Sequence, residues 1–496
     1  MKCFGQHGST GQNTSNVHQV EGDGCVGYCR RSVPATSWTT QAWPRAHRAA
    51  VDRCALRSRP AAGVPLWYWA GQKIVFGGRA APPRGTAWPG TRHLFTRECR
   101  RSAVAPATFG PVLLSAATYD VAIIGAGPAG TACALALRHS GLRVALLDKA
   151  QFPRDKVCGD AIPGHALKAL RQLDPAFADG LWQLQPLDAV QQSRLVAPNG
   201  DSLWMRWKLP SFNSPRATFD AALLDLVRAH SATEIRENTS LKTLRIEADQ
   251  ARLTTTEGAE ITCQLVIGCD GANSVVRRQL LPAPLDRAHH CAGVRAYFEN
   301  IKGAEAGLTE YFFTKDYLQG YLWIFPVGEG LYNVGLGMLS ETVARHKVDL
   351  KQVLTKLLAE HPALAGRFTE ARQRGRIQGF GLPLGGGRTV PVSGRCFLLC
   401  GDAASLIDPI QGHGIDTAMQ SGILAATQAL SCFEKRDFSA EFMQQYDAQV
   451  AHKISRKLAK SYRFMRFLSN KPWLVNAGVR LARVPGLKPW VQRAIG

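Results

Sequence analysis

The chain contains no Cys-x-x-Cys pair, so neither a zinc ribbon nor an iron–sulfur ligand run is encoded, and no metal site is expected. No run of about 18 apolar residues occurs, which excludes a membrane-spanning helix. There is no charged-then-apolar signal peptide and no internal repeat. Acidic residues are missing altogether from 451–496, and lysine is scarce in 1–117. The formal charge of +22 therefore sits at the two ends, +11 in each of those segments, with a neutral middle. A uniformly basic nucleic-acid binder would be patterned differently, so no nucleic-acid partner is expected. What is present is ordinary for a folded enzyme: 496 residues, 45% apolar and 20% charged, enough for more than one domain. Five of the 13 cysteines fall in the first hundred residues, and the rest lie in apolar strand-like contexts such as Val266–Cys269. They read as reduced, buried thiols of a cytoplasmic protein.

Residues 1–117 show neither strand nor helix periodicity and are rich in Gly, Pro, Arg and Trp. Three readings stay open: a disordered basic tail, a transit segment, or translated upstream sequence foreign to the natural protein. The last is favoured because the folded pattern starts abruptly at Tyr119, and the segment is set aside from the fold.

From Tyr119 the pattern is strand, glycine turn, helix, strand, acid. The apolar run Tyr119–Ile124 leads into Gly125-Ala126-Gly127-Pro128-Ala129-Gly130, and the helix formers Thr131–Arg138 follow. Gly141 ends the helix, and Arg143–Leu147 forms a second strand ending in Asp148. Gly125 permits the tight turn, Gly127 admits a pyrophosphate, and Gly130 lets helix and strand pack closely. The helix N-terminus turns its free N–H groups to the phosphates. Asp148, 18 residues after Gly130, is placed to accept from a ribose hydroxyl. An acid there favours FAD or NAD over NADP.

Two later segments resemble the FAD-dependent aromatic hydroxylase superfamily. Cys269-Asp270-Gly271 through Arg277, after a strand Gln264–Gly268, is similar to its Asp-Gly motif. Gly401-Asp402, continuing through Pro409 and Gly412-His413-Gly414-Ile415 into a helix, is similar to its Gly-Asp motif. The resemblance implies FAD as cofactor, with Asp402 on the ribityl chain and the helix from Ile415 aimed at the flavin N1–C2=O edge. A positive helix end there stabilises the negative charge of a reduced flavin.

A narrower resemblance is to the geranylgeranyl reductase family. It rests on Phe152-Pro153-Arg154-Asp155-Lys156-Val157-Cys158-Gly159, on Arg216 with Phe219-Asp220 and Leu223, on Tyr321-Leu322-Trp323-Ile324-Phe325-Pro326, and on Asn333–Gly337. It spans about Tyr119 to Ser421. It implies that Arg154, Cys158, Gly159 and Arg216 border the cofactor along with Asp270, Gly271, Gly401, Asp402, Pro409, Gly412, Gly414 and Ile415. It also implies that Cys158, Tyr321 and Trp323 carry the catalysis. Cys158 would pack on the flavin or relay a proton, while Tyr321 and Trp323, alternating on one strand, would wall an apolar tunnel. One departure is His413, where the family usually has Glu; it is read as capping the turn by a backbone contact.

The fold class that follows is α/β. A Rossmann-type FAD-binding domain is assembled from 118–182, 211–285 and 389–431. An antiparallel substrate-binding sheet comes from 183–210 and 286–388, and a basic helical C-terminal region from 432–496. The activity implied is reduction of C=C bonds in a prenyl lipid by hydride from reduced FAD, with NAD(P)H binding transiently because no second Gly-x-Gly-x-x-Gly exists. A flavin monooxygenase is the alternative. A halogenase fits less well, since Tyr321–Pro326 departs from its Trp-x-Trp-x-Ile-Pro block. A non-catalytic FAD- and lipid-binding protein is the reading from another class. Basic residues recur at helical spacing with Ile454, Leu458, Tyr462, Phe464, Phe467 and Leu468, and Trp473, Leu481 and Trp490 follow. This pattern predicts an amphipathic helix touching a membrane surface from the cytoplasmic side.

Overall fold

The computed structural model describes residues 117–315, 320–387 and 390–483. The readings placed on 1–116 and on Trp490 lie outside the described residues.

Two large sheets organise the described chain. The first runs in the order Ser393–Gly394, Phe397–Leu399, Glu260–Gly268, Ala117–Ile124, Val144–Leu147, Glu234–Arg236, and all neighbours but the first pair are parallel. Val121–Ile124 and Val144–Leu147 are buried throughout, as parallel strands with helices on both faces require. A hairpin, Leu241–Glu247 with Gln250–Thr255, extends this sheet from Glu260–Gly268. The helices Pro128–Ala136 and Arg216–His230 and the long helix Ile415–Lys435 bury their apolar sides in the same core.

The second sheet has the order Arg372–Pro383, His290–Glu299, Leu331–Leu339, Gly320–Pro326, Leu308–Phe312, Gln192–Val196, Ser202–Met205. The sequence reading expected it to be antiparallel throughout. One pairing, Leu308–Phe312 with Gln192–Val196, is parallel. The cause is topological: the 192–205 hairpin enters before the chain returns to the nucleotide-binding domain, so its neighbour is not joined to it by a hairpin. One face of this sheet, with Leu322, Ile324, Val334 and Leu336, is covered by the helix Leu350–Glu360. The other face carries Tyr321, Trp323 and Phe325, as a period of two dictates.

A small sheet joins the two: Ala161–Ile162 and Asp188–Val190 both pair with Ser211–Asn213. Asp188–Val190 therefore does not belong to the large substrate-side sheet in which 183–210 was placed.

The C-terminal region is helical through Ala440–Val450, a π-helical turn Ala451–Ser455, then Arg456–Leu468 and Pro472–Leu481. Part of its apolar side is used within the protein. Ile454 and Leu458 are buried in the core of the first sheet's domain, and Val479 packs on Leu195, Leu203 and Met205. Among the described residues no helix is long and apolar enough to cross a membrane.

Candidate active site

The first strand ends in a turn that only glycine can make. Gly125 has φ +103°, and a Cβ on it would lie 2.4 Å from the Cys269 carbonyl oxygen. A Cβ on Gly130 would lie 1.9 Å from the Gly125 carbonyl oxygen, so Gly130 serves the packing of helix on turn. Gly127 differs: a Cβ there meets nothing nearer than Arg154 Nη2 at 3.7 Å. That open space faces the N-terminus of the helix Pro128–Ala136, which has no side-chain cap. Uncapped N–H groups beside this open space form an anion cradle. Arg154 adds a cation at its edge, stacked 4.6 Å from the Phe152 ring and paired with Asp220 at 2.8 Å.

Asp148 closes the other side. Its Oδ2 accepts from the Ala126 N–H at 2.8 Å and its Oδ1 from the Ala150 N–H at 2.9 Å. Each oxygen keeps a lone pair for a ribose hydroxyl. Asp270 caps the next helix, accepting from Val275 N–H at 2.6 Å, while its buried Oδ1 has no partner. Arg277 reaches the Ala403 carbonyl at 2.9 Å and so ties the Asp-Gly segment to the Gly-Asp segment. Asp402 lies 3.4 Å from Lys156 Nζ. Beyond it Asp408 cinches the 408–414 loop by accepting from Ile410 and Gln411 N–H at 2.8 and 3.0 Å. Gly414 then starts Ile415–Lys435, again without a side-chain cap.

One continuous cavity of about 1340 Å³ is lined by all of these segments. It borders Gly125, Gly127, Asp148, Arg154, Cys158, Gly159, Arg216, Asp270, Gly271, Gly401, Asp402, Pro409, Gly412, Gly414 and Ile415, and the aromatic residues Tyr321 and Trp323. Gly130 is the one residue assigned to the site from sequence that does not line it. A dinucleotide flavin fits what is present: open space beside Gly127, two uncapped helix ends, a carboxylate at the second strand end, and an unpartnered acceptor on Asp270.

The comparisons with known proteins agree with this geometry. A model described as an FAD binding domain matches residues 118–316, and one described as a geranylgeranyl reductase catalytic domain matches 290–372. A menaquinone reductase of Mycobacterium tuberculosis is 31% identical over 361 residues, covering 70% of this chain and 85% of that protein. The chain belongs to the geranylgeranyl reductase family of flavoproteins. A digeranylgeranylglycerophospholipid reductase of Methanosarcina acetivorans is also 31% identical, over 66% of this chain and 79% of that one. Among solved structures, a geranylgeranyl bacteriochlorophyll reductase-like protein of Thermoplasma acidophilum aligns with TM-score 0.66 at 21% identity, over 76% of this chain and 96% of that one. A halogenase, PltM, aligns with TM-score 0.57 at 18% identity, over 76% and 85%. This reductase-family chain is thus an FAD-dependent oxidoreductase, with the expected α/β fold and helical C-terminal region.

In this reductase the aromatic wall is built by register. Tyr321 faces Gly337 and Trp323 faces Gly335 across the pairing with Leu331–Leu339. A Cβ on Gly335 would lie 2.2 Å from Trp323 Cζ2, so glycine makes room for the indole. Tyr311, Tyr321, Trp323 and Phe325 contact one another with ring centroids 5.1–6.2 Å apart. The polar tips of the wall are occupied. Tyr321 OH donates to the Gln411 carbonyl at 2.5 Å, and Trp323 Nε1 donates to Asn333 Oδ1 at 2.9 Å. Burial holds the Tyr321 hydroxyl well above its ordinary pKa.

Cys158 is half-buried and borders the cavity. Arg216 stands nearby, hydrogen-bonded through Nε and Nη2 to both oxygens of Asp220 at 2.7 Å. Burial opposes the guanidinium's charge, but Asp220 and Cys158 outweigh it and its pKa is raised. Arg216 is therefore a buried strut behind the cavity wall, with two of its three nitrogens committed to Asp220 rather than to a cofactor.

His413 closes its turn through the backbone, its carbonyl accepting from Asp408 N–H at 2.9 Å, and its side chain does more. Its ring binds two side chains, Asp416 Oδ1 at 2.8 Å and Gln411 Oε1 at 2.6 Å. Burial lowers its pKa, the adjacent Asp416 carboxylate raises it more, and the net shift is upward. Asp416, which burial alone would raise, is drawn down to about 2 by the imidazolium.

Sequence reasoning passed over Asp160, Tyr297 and Arg295, and gave Asn333 no role. Asp160 is fully buried with φ 62°. It accepts from Tyr297 OH at 2.6 Å and from Asn333 Nδ2 at 2.7 Å. Burial raises its pKa to about 6 against those hydrogen bonds. Arg295 stacks 4.3 Å over the Tyr297 ring and pairs with Asp155 at 2.6 Å. One signal was available: Asn333 alternates with Gly335 and Gly337, a polar side chain on the face that meets the aromatic wall.

Proposed function

We propose that the chain reduces carbon–carbon double bonds of a prenyl lipid whose isoprenoid tail lies along the aromatic wall. The observation that carries this is the cavity itself. At about 1340 Å³ it exceeds the usual range for one small ligand, roughly 300–1,000 Å³. It runs from the glycine turn past Trp323 to Leu203 and Met205 and on to Phe464, Leu468, Val475 and Val479 of the C-terminal helices. A second, long apolar molecule suits that extension. The relatives named menaquinone reductase and digeranylgeranylglycerophospholipid reductase support the same substrate class.

Reduced FAD, when bound, supplies the hydride. The protein's part is position and proton. Tyr321, Trp323 and Phe325 present ring faces and exclude water from the alkene. The Tyr321 and Trp323 hydrogens are committed to Gln411 and Asn333, so neither residue is the acid. Cys158 Sγ, in the turn that lies against this wall, holds the proton for the second alkene carbon. We assign Gly125, Gly127, Asp148, Arg154, Asp270 and Asp402 to the cofactor. NAD(P)H is the proposed reductant, binding transiently.

The test is anaerobic mixing of photoreduced holoprotein with a geranylgeranyl lipid, followed by flavin absorbance and product mass. Reoxidation with a mass gain of two hydrogens is expected. Reoxidation only by oxygen, with a hydroxylated product, would replace this reading by the monooxygenase.

A C20 tail must be collected from a bilayer, and the C-terminal helices are the proposed contact. They border the cavity, and they expose Phe467, Trp473 and Leu481 at 55%, 66% and 52% among Arg463, Lys471 and Arg480.

A further inference from the structure

We propose that Asn333 is a positioning residue that locks the Cys158 turn and the Trp323 indole to each other across the seam between the two large domains. The inference rests on the reading of Cys158 and Trp323 as substrate-facing groups, and its own evidence is geometric.

Asn333 is fully buried in the strand Leu331–Leu339. Its Nδ2 donates to the Cys158 carbonyl at 2.7 Å and to Asp160 Oδ2 at 2.7 Å, and its Oδ1 accepts from Trp323 Nε1 at 2.9 Å. The orientation of the amide is fixed by chemistry. Indole N–H can only donate, and a carbonyl and a carboxylate can only accept, so a flipped amide would lose all three bonds. Three of the four hydrogen bonds open to an amide side chain are made, to two separate parts of the chain.

The Cys158–Asp160 turn has little other freedom. A Cβ on Gly159 would lie 3.2 Å from the Phe325 ring and 3.6 Å from Trp323 Nε1, so the turn lies against the aromatic wall. Asp160 holds a left-handed backbone, a strained choice for a non-glycine residue that persists only where its surroundings enforce it. Tyr297 and Asn333 enforce it from the sheet side. A displacement of the indole by a ligand is thereby carried through one amide to the backbone of Cys158. Asparagine alone suits the place among residues of its size. Aspartate would set a second carboxylate against Asp160, and leucine would leave a buried carbonyl and indole N–H unpaired.

The experiment uses full-length holoprotein and iodoacetamide, with the rate of Cys158 modification followed by peptide mass spectrometry. Asn333→Leu is expected to raise that rate about ten-fold, the scale of one lost buried hydrogen bond, with flavin content retained. Trp323→Phe keeps a ring but removes the N–H, and is expected to raise the rate several-fold in the wild-type background and not in the Asn333→Leu background. In turnover, Asn333→Leu lowers kcat more than it raises KM, and Asn333→Gln recovers part of kcat. Unchanged Cys158 reactivity in a folded Asn333→Leu protein, or additive effects in the double variant, overturns the proposal. If Asn333→Leu does not fold, unchanged reactivity in Trp323→Phe overturns it alone. The alkylation arms need no lipid, so failure of the prenyl-lipid reading appears separately, as an inactive wild type.

Discussion

The Tyr321 hydroxyl lies 2.5 Å from the Gln411 carbonyl, joining the aromatic wall to the loop that leads into the helix Ile415–Lys435. The contact has no slack, because a Cβ on Gly412 would come within 2.7 Å of that same hydroxyl. The wall and the loop facing the flavin are therefore set at a fixed spacing, and the phenol proton is used in setting it.

Tyr321→Phe separates that role from acid catalysis. Loss of one hydrogen bond of about 1 kcal/mol loosens the loop and weakens flavin affinity by roughly five-fold. Loss of a general acid would instead lower kcat by about 10²–10⁴. Flavin titration and kcat on the same variant decide; a fall in kcat beyond 100-fold at saturating flavin would return Tyr321 to the acid's role.

Gly127 and Gly130 should respond oppositely to a side chain. Gly127→Val has room in the fold but fills the phosphate hollow, so the protein should purify folded and colourless. Gly130→Ala drives a methyl into the Gly125 carbonyl at 1.9 Å, and should lose about 3 kcal/mol or more of stability. Flavin absorbance per chain and the melting temperature report the two outcomes. Stoichiometric flavin in Gly127→Val would remove the cofactor from this turn.

Asp160 gives stability a pH dependence of known sign. Its folded-state pKa is raised from 3.8 to about 6. The folded protein holds that proton more tightly than the unfolded chain. The contribution is full below the unfolded value and is lost as pH rises through about 6. Between pH 5 and 7.5 the loss is about 1.4 kcal/mol. Asp160→Asn does not titrate. Its melting temperature relative to wild type should therefore rise between those pH values by on the order of 3 °C. A pH-independent difference would show that Asp160 is not protonated in the acid range.

The sequence revealed the cofactor end of the site better than the substrate end, for a physical reason. Gly125, Gly127 and Asp148 act within one strand–turn–helix–strand unit, so spacing along the chain is spacing in the fold. Cys158 and Asn333 meet only because a loop of one domain lies on a strand of the other, and no local period encodes that contact. The parallel pairing of Leu308–Phe312 with Gln192–Val196 was hidden for the same reason. The His413 backbone contact was legible in its glycine turn, whereas the pairing of its ring with Asp416, one helical turn onward, was not.

The C-terminal helices decide how membrane contact must be tested. Truncation after Val450 would remove Ile454 and Leu458, which belong to the main hydrophobic core, and would confuse docking with unfolding. The exposed residues offer a cleaner test. Phe467 and Trp473 flank the turn between Arg456–Leu468 and Pro472–Leu481, and Lys471 Nζ sits 4.0 Å from the Phe467 ring centroid. Phe464, Leu468, Leu474 and Val475 of the same helices line the cavity, so a bilayer that receives these aromatic side chains also meets a path for the lipid tail. Burying a large apolar side chain contributes about 1.5–3 kcal/mol, and each cation near an anionic surface about 1 kcal/mol. Flotation with anionic vesicles is expected for the wild type, weaker with neutral vesicles and weakened by salt. Phe467→Ser with Trp473→Ser should reduce binding by more than about ten-fold while flavin content and melting temperature stay unchanged. Equal flotation of the double variant would place the membrane contact elsewhere on the protein, and no flotation of the wild type would remove it.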